Sequence, residues 1–231
     1  MKKLSSHNLD NGYDEFVRKS YSAMFIEKPL VDKYLKSLVG SSTHALDIGC
    51  GTGHSIKYLL DLGVKEKNVL GVDMNPDMLR VARKNLPKVQ FITTDLSNLK
   101  LKKSNYDLLL SVMVFHYLSE KKLRKVIENI SEFLKKGGHL FFITLHPLRY
   151  IHDYPDYYSD KPKRESTGWG TKIKYYHKTV SKYLNVVIDS GLEIVAVEEP
   201  LPIGKNARKD EEKYEEYTSR PTRLVVMAVK R

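Results

Sequence analysis

Cysteine is nearly absent: Cys50 stands alone in 231 residues. A single thiol excludes an internal disulfide, a cysteine-based metal cage and any scheme that needs a cysteine pair. No metal site is expected. Tryptophan is equally scarce, with Trp169 alone. No stretch reaches the roughly 18 apolar residues of a membrane helix. The opening MKKLSSHNLDNGYDE has no apolar run after its two lysines, which argues against a secretory leader. A cytoplasmic location with no membrane partner is therefore expected. An Arg-rich tail and an aromatic RNA-binding signature are also missing. They bear on the net charge, because 39 Lys and Arg against 28 Asp and Glu leave +11. A basic surface can attract nucleic acid. Here the cations are scattered in small groups (Lys100, Lys102 and Lys103; Lys121, Lys122, Arg124 and Lys125; Lys161, Lys163 and Arg164), as on an ordinary solvated face. Nucleic acid is disfavoured as a partner, although the charge alone does not exclude it.

What is present suits one α/β domain over residues 1–231. Hydrophobic residues make up 41%, enough for a core without staples. Apolar runs at Thr43–Ile48, Asn68–Val72, Val89–Thr93, Tyr106–Ser111 and His139–Leu145 predict strands. They alternate with segments of helical spacing. Leu123, Val126, Ile127, Ile130 and Leu134 form one helical face, and Lys135-Lys136-Gly137-Gly138 are expected to end that helix. Two further strands are predicted at Leu192–Val197 and Leu224–Val229, with a helix over 180–188 before them. The N-terminal 1–40 reads as a helical cap broken at Pro29. Residues 146–176 form an aperiodic insertion, and 200–220 a second irregular connection. Alternation of this kind implies a mostly parallel sheet with helices on both faces. Long connections near the C-terminus suggest an antiparallel edge strand. Ligands of such sheets bind at the carboxyl ends of the strands.

Three motifs fall at those ends. Ala45-Leu-Asp-Ile-Gly-Cys-Gly-Thr-Gly-His54 runs a strand through Gly49, Gly51 and Gly53 into a helix. Such a turn lets backbone approach a ligand and offers helix N–H groups to it. The G-x-G-x-G spacing differs from the G-x-G-x-x-G of dinucleotide enzymes. Asp73 closes the next strand, one helix and one strand beyond Gly53, where a carboxylate can accept from both ribose hydroxyls. Asn75, just after it, fits the cap of the following helix and leaves Asp73 for a ligand. Asp95 follows the third strand and can accept from an adenine amino group, with Leu96 packing on the ring.

Together these motifs resemble those of the class I S-adenosylmethionine-dependent methyltransferases, from about Tyr13 to the C-terminus. The resemblance implies a Rossmann-like, doubly wound, seven-stranded sheet. It also implies S-adenosylmethionine as cofactor, with S-adenosylhomocysteine as product. On this reading the cofactor-binding residues are Asp47, Gly49, Cys50, Gly51, Gly53, Asp73, Met74, Asp95, Leu96 and Ser111. The chain looks most like the small-molecule branch, near the ubiquinone/menaquinone-type methyltransferases. The implied reaction is in-line methyl transfer to a small molecule, for which positioning matters most. A base is needed only if the acceptor arrives protonated. His116 and His146, at strand ends, are candidates for that base, and His177 reads as a helix-start histidine. Tyr21, Tyr117, Trp169 and Tyr176 are candidate substrate contacts. The N-terminal helix and the 146–176 insertion are expected to close over the substrate as a lid. An RNA or protein methyltransferase on the same domain, or a catalytically silent cofactor-binding partner subunit, are the alternatives.

Overall fold

The computed structural model describes residues 6–150, 157–159, 161–166 and 172–231. The chain opens with α1 (Ser6–Lys19), then a five-residue π-helical turn (Ala23–Glu27) that runs directly into α2 (Lys28–Leu35). Pro29 therefore sits in the first turn of α2, where its missing N–H does no harm; it does not break the cap as expected. Proline has no N–H to offer the Phe25 carbonyl in the turn before it. That carbonyl instead accepts from Ile203 N–H at 2.7 Å, which ties a distant loop to this helix.

The alternating part follows the predicted order: β1 (Ala45–Ile48), α3 (His54–Asp61), β2 (Val69–Asp73), α4 (Pro76–Asn85), β3 (Gln90–Thr93), β4 (Tyr106–Val112), α5 (Glu120–Phe133) and β5 (Leu134–Leu145). Asn75, Ser119 and Thr179 cap their helices as N-cap side chains, accepting from Met78, Lys122 and Lys182 N–H respectively. One boundary moves. Leu134 is already extended and pairs with Tyr106, so Lys135 and Lys136 belong to β5 and do not end α5. Pairing with the neighbouring strand outcompetes another half-turn of helix.

The insertion is more ordered than its composition suggests. β6 (Pro162–Ser166) and β7 (Lys172–Tyr176) form an antiparallel hairpin. Then come α6 (Val180–Asp189), β8 (Leu192–Glu198), α7 (Glu211–Thr218) and β9 (Arg223–Lys230). α7 lies in the connection expected to be irregular. It buries no side chain, so no apolar stripe announces it. The signal that does is Asp210, which accepts from Lys213 N–H, followed by Glu211 and Glu212 in the first turn.

The main sheet has seven strands in the order β3-β2-β1-β4-β5-β9-β8. The first five are parallel, and β9 runs antiparallel to both its neighbours, one place in from the β8 edge. Alternate strand residues feed two cores. Leu46, Ile48, Leu109 and Phe142 pack with Leu123, Val126 and Ile130 of α5 and with Tyr183 and Val187 of α6. Ala45, Leu108, Leu110 and Phe141 pack with Leu30 and Leu35 of α2, Ile56 and Leu59 of α3, and Leu79 of α4. Each of these larger side chains contributes about 1.5–3 kcal/mol on burial. Because β9 is reversed, its first residue, Arg223, pairs with Leu145 at the carboxyl end of β5. Among the described residues no helix is long and apolar enough to cross a membrane.

Candidate active site

Gly49, Gly51 and Gly53 all have positive φ, at 74°, 52° and 84°. Two of them are needed for packing as well. A Cβ on Gly49 would meet Val114 Cγ2 at 2.4 Å, and one on Gly53 would meet Leu86 Cδ1 at 2.8 Å. At Gly51 the nearest atom to an added Cβ is Tyr13 Cε1 at 3.8 Å, an ordinary contact, so here only the conformation calls for glycine. The turn is pinned to β2. Gly49 and Cys50 N–H both donate to the Val72 carbonyl, and Gly51 N–H donates to Asp73 Oδ2 at 2.9 Å. Asp73 Oδ1 accepts from Asn75 N–H at 2.8 Å. Burial raises the Asp73 carboxyl, and these backbone donors pull it back down.

A cavity of about 300 Å3 opens beside the turn. Gly49, Gly51, Asp73, Met74, Asp95 and Leu96 all line it, so the structure gathers most of the expected cofactor residues on one cleft. Asp95 arrives with partners already in place. Its Oδ1 accepts from Ser97 N–H and Oγ, and its Oδ2 from Lys122 Nζ at 2.6 Å. The Lys122 ammonium holds the Asp95 carboxyl down at about 2.

Two expected residues stand behind the cleft. Asp47 is fully buried, with Oδ2 accepting from Ser55 Oγ, and it braces the turn from beneath. Burial pushes its carboxyl up to about 7. Ser111 is buried and donates to the Ile48 carbonyl, joining β4 to β1. Neither lines a described cavity: both side chains are buried and bonded within the protein. Gly53 serves the turn by its conformation.

A second cavity, of about 120 Å3, is lined by Cys50, Thr52 and His54 together with Tyr13 and Phe16 of α1 and Glu27. Burial lifts the Cys50 thiol well above its usual range, so it is not a nucleophile. A third, of about 750 Å3, lies beyond. Met113 and Tyr117 line all three, which makes them the junction of the site. Met113 has φ +61°, a left-handed conformation that costs a residue with a Cβ about 1–2 kcal/mol. It is held there by its N–H bond to the Ile143 carbonyl at 2.7 Å. Strain kept at a cavity junction is a mark of function, and no composition or period in the sequence pointed to Met113.

The histidines separate. His116 is buried, lines the large cavity, and has Nδ1 3.3 Å from Thr144 Oγ1. Burial lowers its basicity well below the ordinary value, so it is neutral near pH 7. His146 lies off the large cavity with both ring nitrogens engaged. Nε2 meets Glu199 Oε1 at 2.7 Å, and Nδ1 accepts from Leu148 N–H at 3.1 Å. It is a bracing residue at the end of β5, and the base role expected of it does not fit this geometry. His177 Nε2 contacts the Tyr157 carbonyl, as a structural histidine would.

Of the substrate candidates, Tyr21 and Tyr117 line the large cavity. The Tyr21 hydroxyl donates to the Ala207 carbonyl at 2.8 Å, so this residue presents a ring. Tyr176 lies on a small side pocket, away from the large cavity. Trp169 lies outside the described residues. Two ion pairs went unforeseen. Glu27 and Arg223 are both buried and pair at 3.3 Å between the second and third cavities. Arg149 pairs with Glu216 on the wall of the third. Their residues are far apart in the chain, and only the reversed β9 and the α7 fold-back bring them together. Among the described residues no group of three His, Cys, Asp or Glu could hold a metal ion.

The residues fit an adenosylated amino acid. Gly51 offers backbone with room for a ligand. Thr52 Oγ1 and His54 Nδ1, both buried beside the second cavity, have no partner among the described residues. Unpaired buried polar atoms are costly unless a ligand satisfies them. Comparison with known proteins agrees. Residues 45–138 match a family described as a methyltransferase domain. An uncharacterised protein of Haemophilus influenzae is 26% identical over 99% of this chain and 98% of its own length. A ubiquinone/menaquinone biosynthesis C-methyltransferase of Campylobacter jejuni is 35% identical over 40% of each chain, so less than half of that relative is spanned. The crystal structure of an S-adenosylmethionine-dependent methyltransferase from Mesorhizobium loti shares the fold. Its TM-score is 0.71 and its identity 24%, with 93% of this chain and all of that one covered. Residues 45–138 thus carry a methyltransferase-domain match, and with the glycine turn, the paired acids and the seven-stranded sheet this chain resembles the class I S-adenosylmethionine-dependent methyltransferases.

Proposed function

We propose that the acceptor is a small molecule held in the third and largest cavity, with Gly49, Gly51, Asp73, Met74, Asp95 and Leu96 around the adenosyl part of the cofactor. Thr52, His54 and Glu27 stand around its amino-acid part. The observation that carries this reading is the shared wall, since Met113 and Tyr117 line all three cavities. A concave volume of about 750 Å3 suits a compact ligand.

When bound, the cofactor supplies a sulfonium methyl, which is electrophilic without further activation. The protein's work is then orientation and exclusion of water. Met113 and Tyr117 fix where the acceptor meets the methyl. The acceptor's nucleophilic atom forms the new bond with its own electron pair, and the pair of the broken carbon–sulfur bond stays on sulfur. Any proton the acceptor carried passes to water or to His116, which lines the same cavity. α1 and the β6–β7 hairpin serve as covers. Tyr13 and Phe16 of α1 and Ile173 of β7 all line the cavities.

A metabolite panel scored for S-adenosylhomocysteine release tests the reading. Release with one or a few metabolites is expected. Release with bulk tRNA or a protein and with no metabolite would replace the small-molecule reading. Cofactor binding without release on any acceptor would leave a silent module. Deleting 150–170 should abolish turnover and spare cofactor binding; unchanged turnover would refute the lid.

A further inference from the structure

The large cavity has a charged end and an aromatic lining, and together they specify more than size. Arg149 and Lys213 share one carboxylate: Glu216 Oε1 meets Arg149 Nη2, and Oε2 meets Lys213 Nζ at 2.8 Å. Lys209 lines the same end. The other acid there, Asp210, is committed to capping α7 through Lys213 N–H at 3.0 Å. Arg223, also on the wall, is neutralised by Glu27. Among the residues lining this end of the cavity, the cations Arg149, Lys209 and Lys213 outnumber the acids Asp210 and Glu216.

Arg149 is a prepared anion receptor. Its guanidinium lies 5.0 Å from the Tyr217 ring centroid and 5.6 Å from that of Tyr150, and its side chain is only 13% exposed. Stacking of this kind fixes the planar fork that carboxylates bind. One nitrogen, Nη2, is taken by Glu216, while Nε and Nη1 have no acceptor among the described residues. The walls leading back to the junction carry Phe16, Tyr21, Phe25, Tyr117, Tyr150 and Tyr217. Such surfaces favour a flat, apolar ring.

We propose that the methyl acceptor is a ring-bearing carboxylic acid. Its carboxylate docks on Arg149, with Lys213 and Lys209 around it. Its ring lies against the aromatic walls and points another atom toward Met113 and Tyr117. This deepens the methyltransferase reading and rests on it for the reaction, but the docking itself requires no turnover.

Isothermal titration of the full chain, saturated with S-adenosylhomocysteine, tests the docking. The probes are benzoate and indole-3-acetate, their neutral partners benzamide and indole-3-acetamide, and inorganic phosphate. At least one acid should bind in the millimolar range or better, and at least tenfold more tightly than its amide. Arg149→Gln should erase that preference, Arg149→Lys should keep part of it, and S-adenosylhomocysteine affinity should stay within twofold in both. Should Arg149→Gln fail to fold, Glu216→Gln decides. Releasing the two cations from their shared acid should raise acid affinity threefold or more, and a fall would overturn the proposal. Equal binding of acids and amides overturns it, as does phosphate binding as well as the acids, or no acid binding at all. Failure of S-adenosylhomocysteine itself to bind would strike the methyltransferase reading instead.

Discussion

Gly51 and Asp73 stand 22 positions apart and meet through one hydrogen bond, from the Gly51 N–H to the Asp73 carboxylate. Glu27 and Arg223 stand 196 positions apart and meet through buried side chains. Those two contacts typify the two sides of the site. The cofactor side is made by consecutive strand–turn–helix units, whose glycines and acids lie where each strand ends. The acceptor side is made by α1, the π turn, the hairpin, α7 and the reversed strand β9, joined by contacts such as Tyr21 to Ala207, 186 positions apart. The first side uses backbone conformation, which few residue types satisfy. The second uses side-chain complementarity, which many sequences could satisfy. On the proposed reading, cofactor binding therefore sits on the local side and acceptor binding on the long-range side.

The comparison is most easily broken at Gly49. Gly49→Ala places a methyl group against Val114 in a left-handed conformation. A loss of S-adenosylhomocysteine affinity of about 100-fold or more is expected by titration calorimetry, about 3 kcal/mol by the usual conversion. Wild-type affinity in this variant would show that the turn does not shape the cofactor side. On the acceptor side, Arg223→Gln strands the buried Glu27 carboxylate and should cost about 3–5 kcal/mol in urea unfolding. The double variant Glu27→Gln/Arg223→Gln should recover much of that, and purely additive losses would deny the pair. Asp73→Asn keeps the shape but removes the charge, so cofactor affinity should fall roughly 10-fold with little change in melting temperature.

The smallest expected effects are in pH dependence, and the two sides oppose each other. Burial holds Asp47 up at about 7, so between about pH 4 and 7 the folded chain binds more protons than the unfolded one. Its contribution to stability falls as pH rises through that window, and Asp47→Asn should flatten this slope. Lys178 is buried on the acceptor side, its Nζ donating to the Leu118 and Tyr176 carbonyls at 2.7 and 2.8 Å. Burial pushes it down to about 7, so from about pH 7 to 10 the unfolded chain binds the extra proton. Stability from this group rises with pH there, and Lys178→Met should remove the rise while lowering the melting temperature at pH 9. Unfolding curves at four pH values separate the two, and unchanged slopes in both variants would dissociate these groups from the titration.

Legibility followed the same division. The strands β1 to β5 could be read because each is a short run rich in apolar residues, and β1 and β2 end at Gly49 and Asp73. The Asn75 cap was foreseen because its side chain acts on the next turn of its own helix. Ser111 and Asp47 turn out to be buried behind the cleft, since residue type alone does not say how far from a ligand a side chain at a strand end lies. His146 was a reasonable base by position, but Glu199 and the Leu148 N–H occupy its ring nitrogens. α7 escaped because helices are read from apolar stripes, and this one is held by its cap, by Glu216 and by the ring of Tyr217.

The amino-acid order by itself determined the alternating fold, the glycine turn and the acids at the next two strand ends. These depend on conformational preferences acting within one strand–turn–helix unit and the strand that follows it. The tertiary structure alone decided that the reversed strand, β9, lies between β5 and β8 and delivers Arg223 to the rim. It also decided that Met113 lines three cavities, and that Arg149 is stacked and half-satisfied at the end of the largest. Those outcomes depend on packing between segments remote from one another in the chain, where many alternatives are locally equivalent and only the filled core selects among them.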